Sequence, residues 1–257
     1  MQTPAPPRFT HERHARILDW LNAHGRVEVL ELARLLEVSE HTIRRDLEAL
    51  QASGVLQRTH GGAVSIDTSR LGFGGRSAVL AKVKDALGHT GAGLIEAGQS
   101  VVLDAGSTTL AMARALTVRP LTVITNSLDV AAVFDRDRAV QLVVLGGVWQ
   151  PEHRAFWGHA TCEMLANHRA DWAVPGVCAV DLAAGVTATE EPDAMLKQAM
   201  VRVARRTMVL ADHAKVDDVA PYRVADWPQV HTFVTDRPWP ELAARGVDVR
   251  LAADPSA

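Results

Sequence analysis

Cysteine is scarce in this chain: Cys162 and Cys178 are the only two in 257 residues. Both fall in the same half without metal-type spacing, so a reducing compartment leaves them as thiols, expected as buried small hydrophobes. Long apolar runs are lacking too. No stretch approaches the length that spans a bilayer, and the start, Met1-Gln2-Thr3-Pro4-Ala5-Pro6-Pro7, has no apolar signal-peptide core, so a cytoplasmic protein away from membranes is expected. Excess charge of either sign is missing, with 27 basic against 30 acidic residues and a net charge of −3. That balance argues against a general electrostatic coat on nucleic acid, so any contact with DNA must be local. Aromatics are few, and the tryptophans at 20, 149, 157, 172, 227 and 239 are dispersed, which suits core or interface packing rather than an aromatic cage.

What is present is an average globular composition, 47% hydrophobic and 22% charged, in a chain long enough for one sizeable core and a small accessory module. The order of the chain supports two domains. A proline-rich tail over residues 1–10 precedes a helix from about His11 to His24-Gly25, with Ile17, Leu18 and Leu21 on one face. A second helix starts near Val27 with Leu32, Leu35 and Leu36 inward. Ser39 is placed to cap a third helix, in which Ile43, Leu47 and Leu50 recur at spacings of four and three. Gly54 ends it, and residues 55–62 read as two short strands around a turn. Residues 11–62 thus form one domain, and 63–79, with Gly72, Gly74 and Gly75, a linker.

From residue 80 to 257 the pattern changes. Short β-branched runs at 100–104, 121–125, 140–145, 172–174 and 206–210 alternate with helical stretches at 108–116, 127–134, 162–167 and 192–204. This alternation predicts an α/β domain with a mainly parallel sheet flanked by helices, whose ligand sits at the carboxyl ends of the strands. The helix around Lys84 carries Gly88, His89, Thr90 and Gly91 in succession, poor formers expected to weaken it by ~2 kcal/mol.

Within residues 8–62 eight arginines face eight acids, so a basic footprint has to come from placement. Steps of 100° put His41 and Arg45 nearly opposite the Ile43/Leu47/Leu50 stripe, with Thr42 and Arg44 flanking. Arginine pairs with guanine O6 and N7, while Ser39, Thr42 and the helix amino end suit phosphates. Arg58 and His60 could reach an adjacent stretch of backbone. A helical dimerisation cap with solvated arginines is the plainer alternative. The full string, Leu36-Glu37-Val38-Ser39-Glu40-His41-Thr42-Ile43-Arg44-Arg45-Asp46-Leu47, then Gly54-Val55-Leu56 and Arg58-Thr59-His60-Gly61-Gly62-Ala63, closely resembles the signature of the DeoR family of bacterial repressors. The resemblance implies a winged helix-turn-helix that reads operator DNA, with Ser39, Thr42, Arg44 and Arg45 at the interface; His41, at a position that varies within the signature, and Arg58, His60 and Gly61 of the wing are further candidates.

Asp104-Ala105-Gly106-Ser107-Thr108-Thr109 runs from a strand into a helix. A tight glycine turn, three hydroxyls and a helix amino end form an anion cradle, or else a simple helix cap. Together with Thr125-Asn126-Ser127, Gly146-Gly147, Lys197 and Asp212-His213-Ala214-Lys215, this half resembles the sensor domain of the same family, similar in fold to ribose-5-phosphate isomerase. That likeness implies that Asp104, Gly106, Ser107, Thr108, Thr109, Asn126, Gly147, Lys197 and Lys215 line a site for a phosphorylated sugar or polyol. A symmetric homo-oligomer, dimer or tetramer, whose paired heads meet two half-sites of double-stranded operator DNA, is the expected assembly.

The rival reading is a sugar-phosphate isomerase with an accessory helical domain. Such chemistry needs a positioned carboxylate, which the resemblance to the isomerase fold would place as paired aspartates in the loop after the strand at 172–174. That loop reads Pro175-Gly176-Val177-Cys178-Ala179, so no catalytic residue is assigned, although Asp181 and Glu190 lie nearby. No cofactor or metal is expected either, because His153, His159 and Cys162 do not share one helical face.

Overall fold

The computed structural model describes residues 10–24, 26–52, 56–59, 61–65 and 80–252. They fall into two compact units, the second taking up the chain from Ala81 onward. The first unit begins with α1 (Thr10–His24), β1 (Arg26–Glu28), α2 (Val29–Leu35) and α3 (Glu40–Ala52). It closes with β2 (Leu56–Arg58) and β3 (Gly62–Ser65). The strands form one antiparallel sheet in the order β1-β3-β2. Ile17, Leu21, Leu32, Leu36, Ile43, Leu47 and Leu56 make its nucleus, all essentially inaccessible to water.

Three local expectations change here. A strand, β1, stands where the second helix was expected to start. Leu35 points outward on the flank of α2, because Val29, Leu32 and Leu36 already occupy the inward face at helical spacing. The wing continues through Ser65, so Ala63 belongs to β3 and is buried in the nucleus instead of opening a linker. The caps expected at Gly25 and Gly54, and residues 1–9 and 66–79 of the tail and linker, lie outside the described residues.

The second unit opens with α4 (Ala81–Ala92), β4 (Ser100–Leu103), α5 (Ser107–Ala115), β5 (Leu121–Thr125), α6 (Leu128–Phe134) and β6 (Val140–Val144). A hairpin of β7 (Val148–Gln150) and β8 (Ala155–Trp157) leads to α7 (His159–Ala166) and β9 (Ala170–Val174). Then come β10 (Ala179–Asp181), β11 (Gly185–Ala188), α8 (Glu191–Val203), β12 (Ala204–Leu210), β13 (Tyr222–Ala225), β14 (Thr232–Thr235), α9 (Pro240–Ala243) and β15 (Asp248–Leu251). Seven strands form a wholly parallel sheet in the order β15-β14-β12-β9-β4-β5-β6. A small antiparallel sheet, β10-β11-β13, packs separately, with Trp227, Phe233 and Trp239 meeting edge to face in the adjoining core. Both cysteines are half-buried rather than buried, and burial pushes the Cys162 thiol up.

The run of poor helix formers in α4 has a packing explanation. A Cβ on Gly88 would lie 2.6 Å from the Ala111 carbonyl carbon and the Met112 nitrogen of α5, and one on Gly91 would press on Met112, Met208 and Leu210. Glycine lets two helix backbones approach, trading propensity for contact. Gly88→Ala is therefore expected to lower stability by about 1–3 kcal/mol despite alanine's better helix propensity. Gly93→Ala, where a Cβ meets nothing closer than 3.5 Å, serves as the control. Chemical denaturation of both variants checks this, and a Gly88→Ala protein as stable as the parent would contradict it.

Candidate functional site

The first candidate surface is the outer side of α3. Ser39 caps the helix, its Oγ accepting the Thr42 amide at 3.1 Å and meeting the Thr42 hydroxyl at 2.8 Å. Ile43, Leu47 and Leu50 are buried, while His41, Arg44 and Arg45 are exposed. The rotation of the helix about its axis is fixed by Asp46. Its carboxylate is buried and accepts two bonds from the Arg13 guanidinium of α1, the Nη2 bond at 2.8 Å, and contacts His14 Nε2 at 3.1 Å. Those bonds raise the Arg13 pKa further. Arg45 makes no hydrogen bond or ion pair among the described residues. Arg44 meets Glu40 at 2.9 Å, and Arg58 of the wing meets Glu48 at 2.8 Å. Gly61 is exposed and its carbonyl accepts the Val29 amide, tying the wing turn to α2. His60 lies outside the described residues.

The second candidate surface follows from the strand order. β4, β5 and β6 run outward on one side and β9, β12, β14 and β15 on the other, so the order reverses between β4 and β9. Crevices for ligands open at such a reversal, at the carboxyl ends of the strands. Asp104 follows β4 there. Its Oδ1 accepts the Ala105 amide at 2.7 Å and its Oδ2 accepts the Gly176 amide at 2.8 Å, which joins the β4 loop to the β9 loop. Lys197 of α8 approaches the same Oδ2 at 3.5 Å and is also bonded to Asp193, one turn earlier. Burial alone would lower the Lys197 pKa, but the charges of Asp193 and Asp104 outweigh it and hold the ammonium well above its ordinary range. Burial pushes the Asp104 carboxyl up, opposed by Lys197. Lys215 donates to the Val177 carbonyl, in the same loop as Gly176.

Asp104 and Lys215 therefore both bind the loop at residues 176–177, with Lys197 paired to Asp104, which lies just before Gly106, Ser107, Thr108 and Thr109 open α5. Gly106 and Ser107 are partly exposed, Thr108 and Thr109 are buried, and the Thr109 hydroxyl is spent on the Gly106 carbonyl at 2.9 Å. Asn126 follows β5, the neighbour of the strand that leads into Asp104, and both it and Gly147 pack against the β7–β8 hairpin. Asn126 is buried, with Nδ2 donating to the Phe156 carbonyl at 3.3 Å and its Oδ1 without a partner among the described residues. A Cβ at Gly147 would collide with the Trp157 carbonyl and the Thr161 hydroxyl.

Two functional neighbours escaped the sequence reading. Asp193 lies four residues before Lys197, a spacing that marks a helical ion pair. A Cβ on Gly176 would stand 2.7 Å from the Ala105 carbonyl, so the loop meets its neighbour only with glycine there. Nor are the two carboxylates near the isomerase-like position free. Asp181 caps a turn through the Ala183 and Ala184 amides, both at 2.7 Å, and Glu190 meets His153 at 3.1 Å.

An outward arginine-bearing helix beside a β wing, joined to an α/β unit with a buried charge cluster at its strand-order reversal, defines a class of two-part, DNA-binding regulator. The DeoR-like helix-turn-helix domain family matches residues 13–69, and the DeoR C terminal sensor domain family matches residues 80–237. Among its relatives are the HTH-type transcriptional repressor GlcR of Bacillus subtilis, 34% identical over 89% of both chains, and the L-fucose operon activator of Haemophilus influenzae, 32% identical over 89% of this chain and 93% of that one. A solved ribose 5-phosphate isomerase from Methanocaldococcus jannaschii overlaps 52% of this chain and 53% of its own at 16% identity, with a TM-score of 0.38, a likeness that carries no further weight. The chain belongs to the DeoR family. It is a transcriptional regulator and not an enzyme, in keeping with its named relatives.

Two stability predictions follow from these contacts. Asp46→Ala leaves Arg13 half of a mostly buried pair and is expected to destabilise the first unit by about 3 kcal/mol, read as an earlier denaturation midpoint. In the second unit, His213 Nδ1 lies 2.5 Å from Asp236 Oδ2. Burial would raise the Asp236 carboxyl, but the hydrogen bond and charge of His213 prevail and hold it below the usual carboxylate range. A carboxyl whose pKa falls on folding adds stability that is complete above its unfolded value of about 3.9 and lost as pH falls through the folded one. Asp236→Asn should flatten the acid limb of the stability curve, measured by urea midpoints below pH 5 or so. An unchanged acid limb would show that the pair contributes nothing.

Proposed function

We propose that this regulator is a sequence-specific repressor of a carbohydrate-metabolism operon, relieved by a phosphorylated sugar or polyol bound in the second unit. The observation that carries the reading is the division of α3, with Ile43, Leu47 and Leu50 sealed inside and Arg44 and Arg45 facing outward. Such a face fits a major groove, where arginine discriminates guanine. Ser39, His41, Thr42, Arg58, His60 and Gly61 complete the interface in this reading. A cytoplasmic homo-oligomer, dimer or tetramer, would present two heads to half-sites one or more helical turns apart, ~34 Å or a multiple. The names of the relatives, a repressor and a sugar-operon activator, support transcription control of sugar genes, and the activator gives positive control as a second reading.

For the effector, the turn from Gly106 to Thr109 supplies amides at the amino end of α5, and Lys215, which rests on the Val177 carbonyl, supplies a cation that can exchange that bond for a phosphate. Asp104 and Lys197, both nearly inaccessible, act by holding the two loops in place. Asn126 and Gly147 belong to the wall beneath the hairpin. Bound effector would favour a state in which the heads no longer engage both half-sites, by no more than its preference for that state.

Arg45→Ala is expected to weaken operator binding by ~1–3 kcal/mol and to relax discrimination at one base position. Gel shifts against single-base operator variants measure it, and identical profiles for variant and parent would refute the assignment. Thr108→Val and Lys215→Met should leave operator affinity intact while blunting release by a panel of sugar phosphates. Loss of binding without any sugar present would make those residues structural instead.

A further inference from the structure

The arginines of the reading face are not all available to a phosphate. On α3, Glu40, Arg44 and Glu48 fall in one row at successive spacings of four, which places them side by side along the helix. Arg44 is held by Glu40 at 2.9 Å, and Glu48 reaches across to hold Arg58 of the wing at 2.8 Å. Together these side chains make an alternating ladder, acid, base, acid, base, from the first turn of the helix to β2. Arg44, Glu40 and Arg58 also line a groove of about 510 Å³ in this unit, which Arg26, Glu28 and Thr59 share. All four members of the ladder are accessible to solvent.

We infer that Glu40 and Glu48 act as built-in competitors of DNA phosphate, lowering the affinity of the reading head for any duplex and flattening its dependence on salt. The inference rests on the DNA-binding reading of α3. A phosphate that takes Arg44 or Arg58 exchanges one ion pair for another and leaves a carboxylate unpaired beside the polyanion. The gain from each contact is correspondingly small. Salt dependence follows the same logic, because each neutralised phosphate releases a condensed cation while the freed carboxylate recruits one back. A head built in this way depends on base contacts for its grip, since phosphates alone return little. This is how a domain with equal numbers of arginines and acids between residues 8 and 62 avoids being sequestered on arbitrary DNA.

The test uses the full chain and a mixed-sequence DNA duplex, titrated by fluorescence anisotropy at salt concentrations from about 50 to 200 mM. Glu40→Gln and Glu48→Gln keep size and hydrogen bonding while removing the charge. Each is expected to tighten binding about two- to fivefold, the range that exposed ion pairs of this kind are worth, and to steepen the slope of log affinity against log salt by up to about one. Glu31→Gln, an exposed acid on α2 outside the ladder, controls for net charge alone. Unchanged affinity and slope in both ladder variants would overturn the inference, as would an equal gain from Glu31→Gln. Thermal melts accompany the titrations; should Glu40→Gln disturb the start of α3, Glu48→Gln carries the test alone. A parent chain that binds no duplex even at low salt would instead overturn the DNA-binding reading itself.

Discussion

The reading head depends on one buried carboxylate. Asp46 points inward from α3 toward Arg13 and His14 of α1, and an ionised side chain in that position has to be paired. The pairing permits a single rotation of α3. With Asp46 inward, the apolar stripe closes the nucleus and Arg44 and Arg45 are carried to the outside without any further instruction. A purely apolar contact would tolerate a helix that rolls by tens of degrees; bonds to a fixed guanidinium do not.

The second unit uses the same device on a larger scale. Lys197 between Asp104 and Asp193 fastens α8 to the turn that starts α5, and through the Gly176 amide to the loop after β9. Burying an ammonium is costly, so the cluster contributes geometric definition more than net stability. The loops that it unites leave from adjacent strands on the two sides of the point where strand order reverses. Lys215 adds a lighter tie on the same loop.

Much of this was legible in the sequence where the signal is periodic. The stripe at 43, 47 and 50, the cap at Ser39 and the β-branched runs that became β4, β5, β6, β9 and β12 all depend on near neighbours in the chain. What was not legible depends on distant ones. β1 is a three-residue strand whose existence is decided by β3, and β10, β11 and β13 form a satellite sheet from segments too short and mixed to show alternation. β14 and β15 were likewise missed, since polar residues at strand positions hide them. Lys197 entered the candidate site through resemblance alone, because its burial and pairing are set by Asp104, distant in the chain at the end of β4. The glycines of α4 read as weakness because the backbone of α5, which requires them, is invisible from within the helix.

The buried trio also constrains how this regulator can diverge. Losing Lys197 alone would strand two carboxylates in a dry setting, whereas losing either aspartate leaves one balanced pair, so the lysine is the member obliged to stay as long as both acids do. Neighbouring positions such as Ser107, partly exposed and bound by no such obligation, are free to drift one at a time. Change of ligand preference would therefore accumulate around a frozen centre.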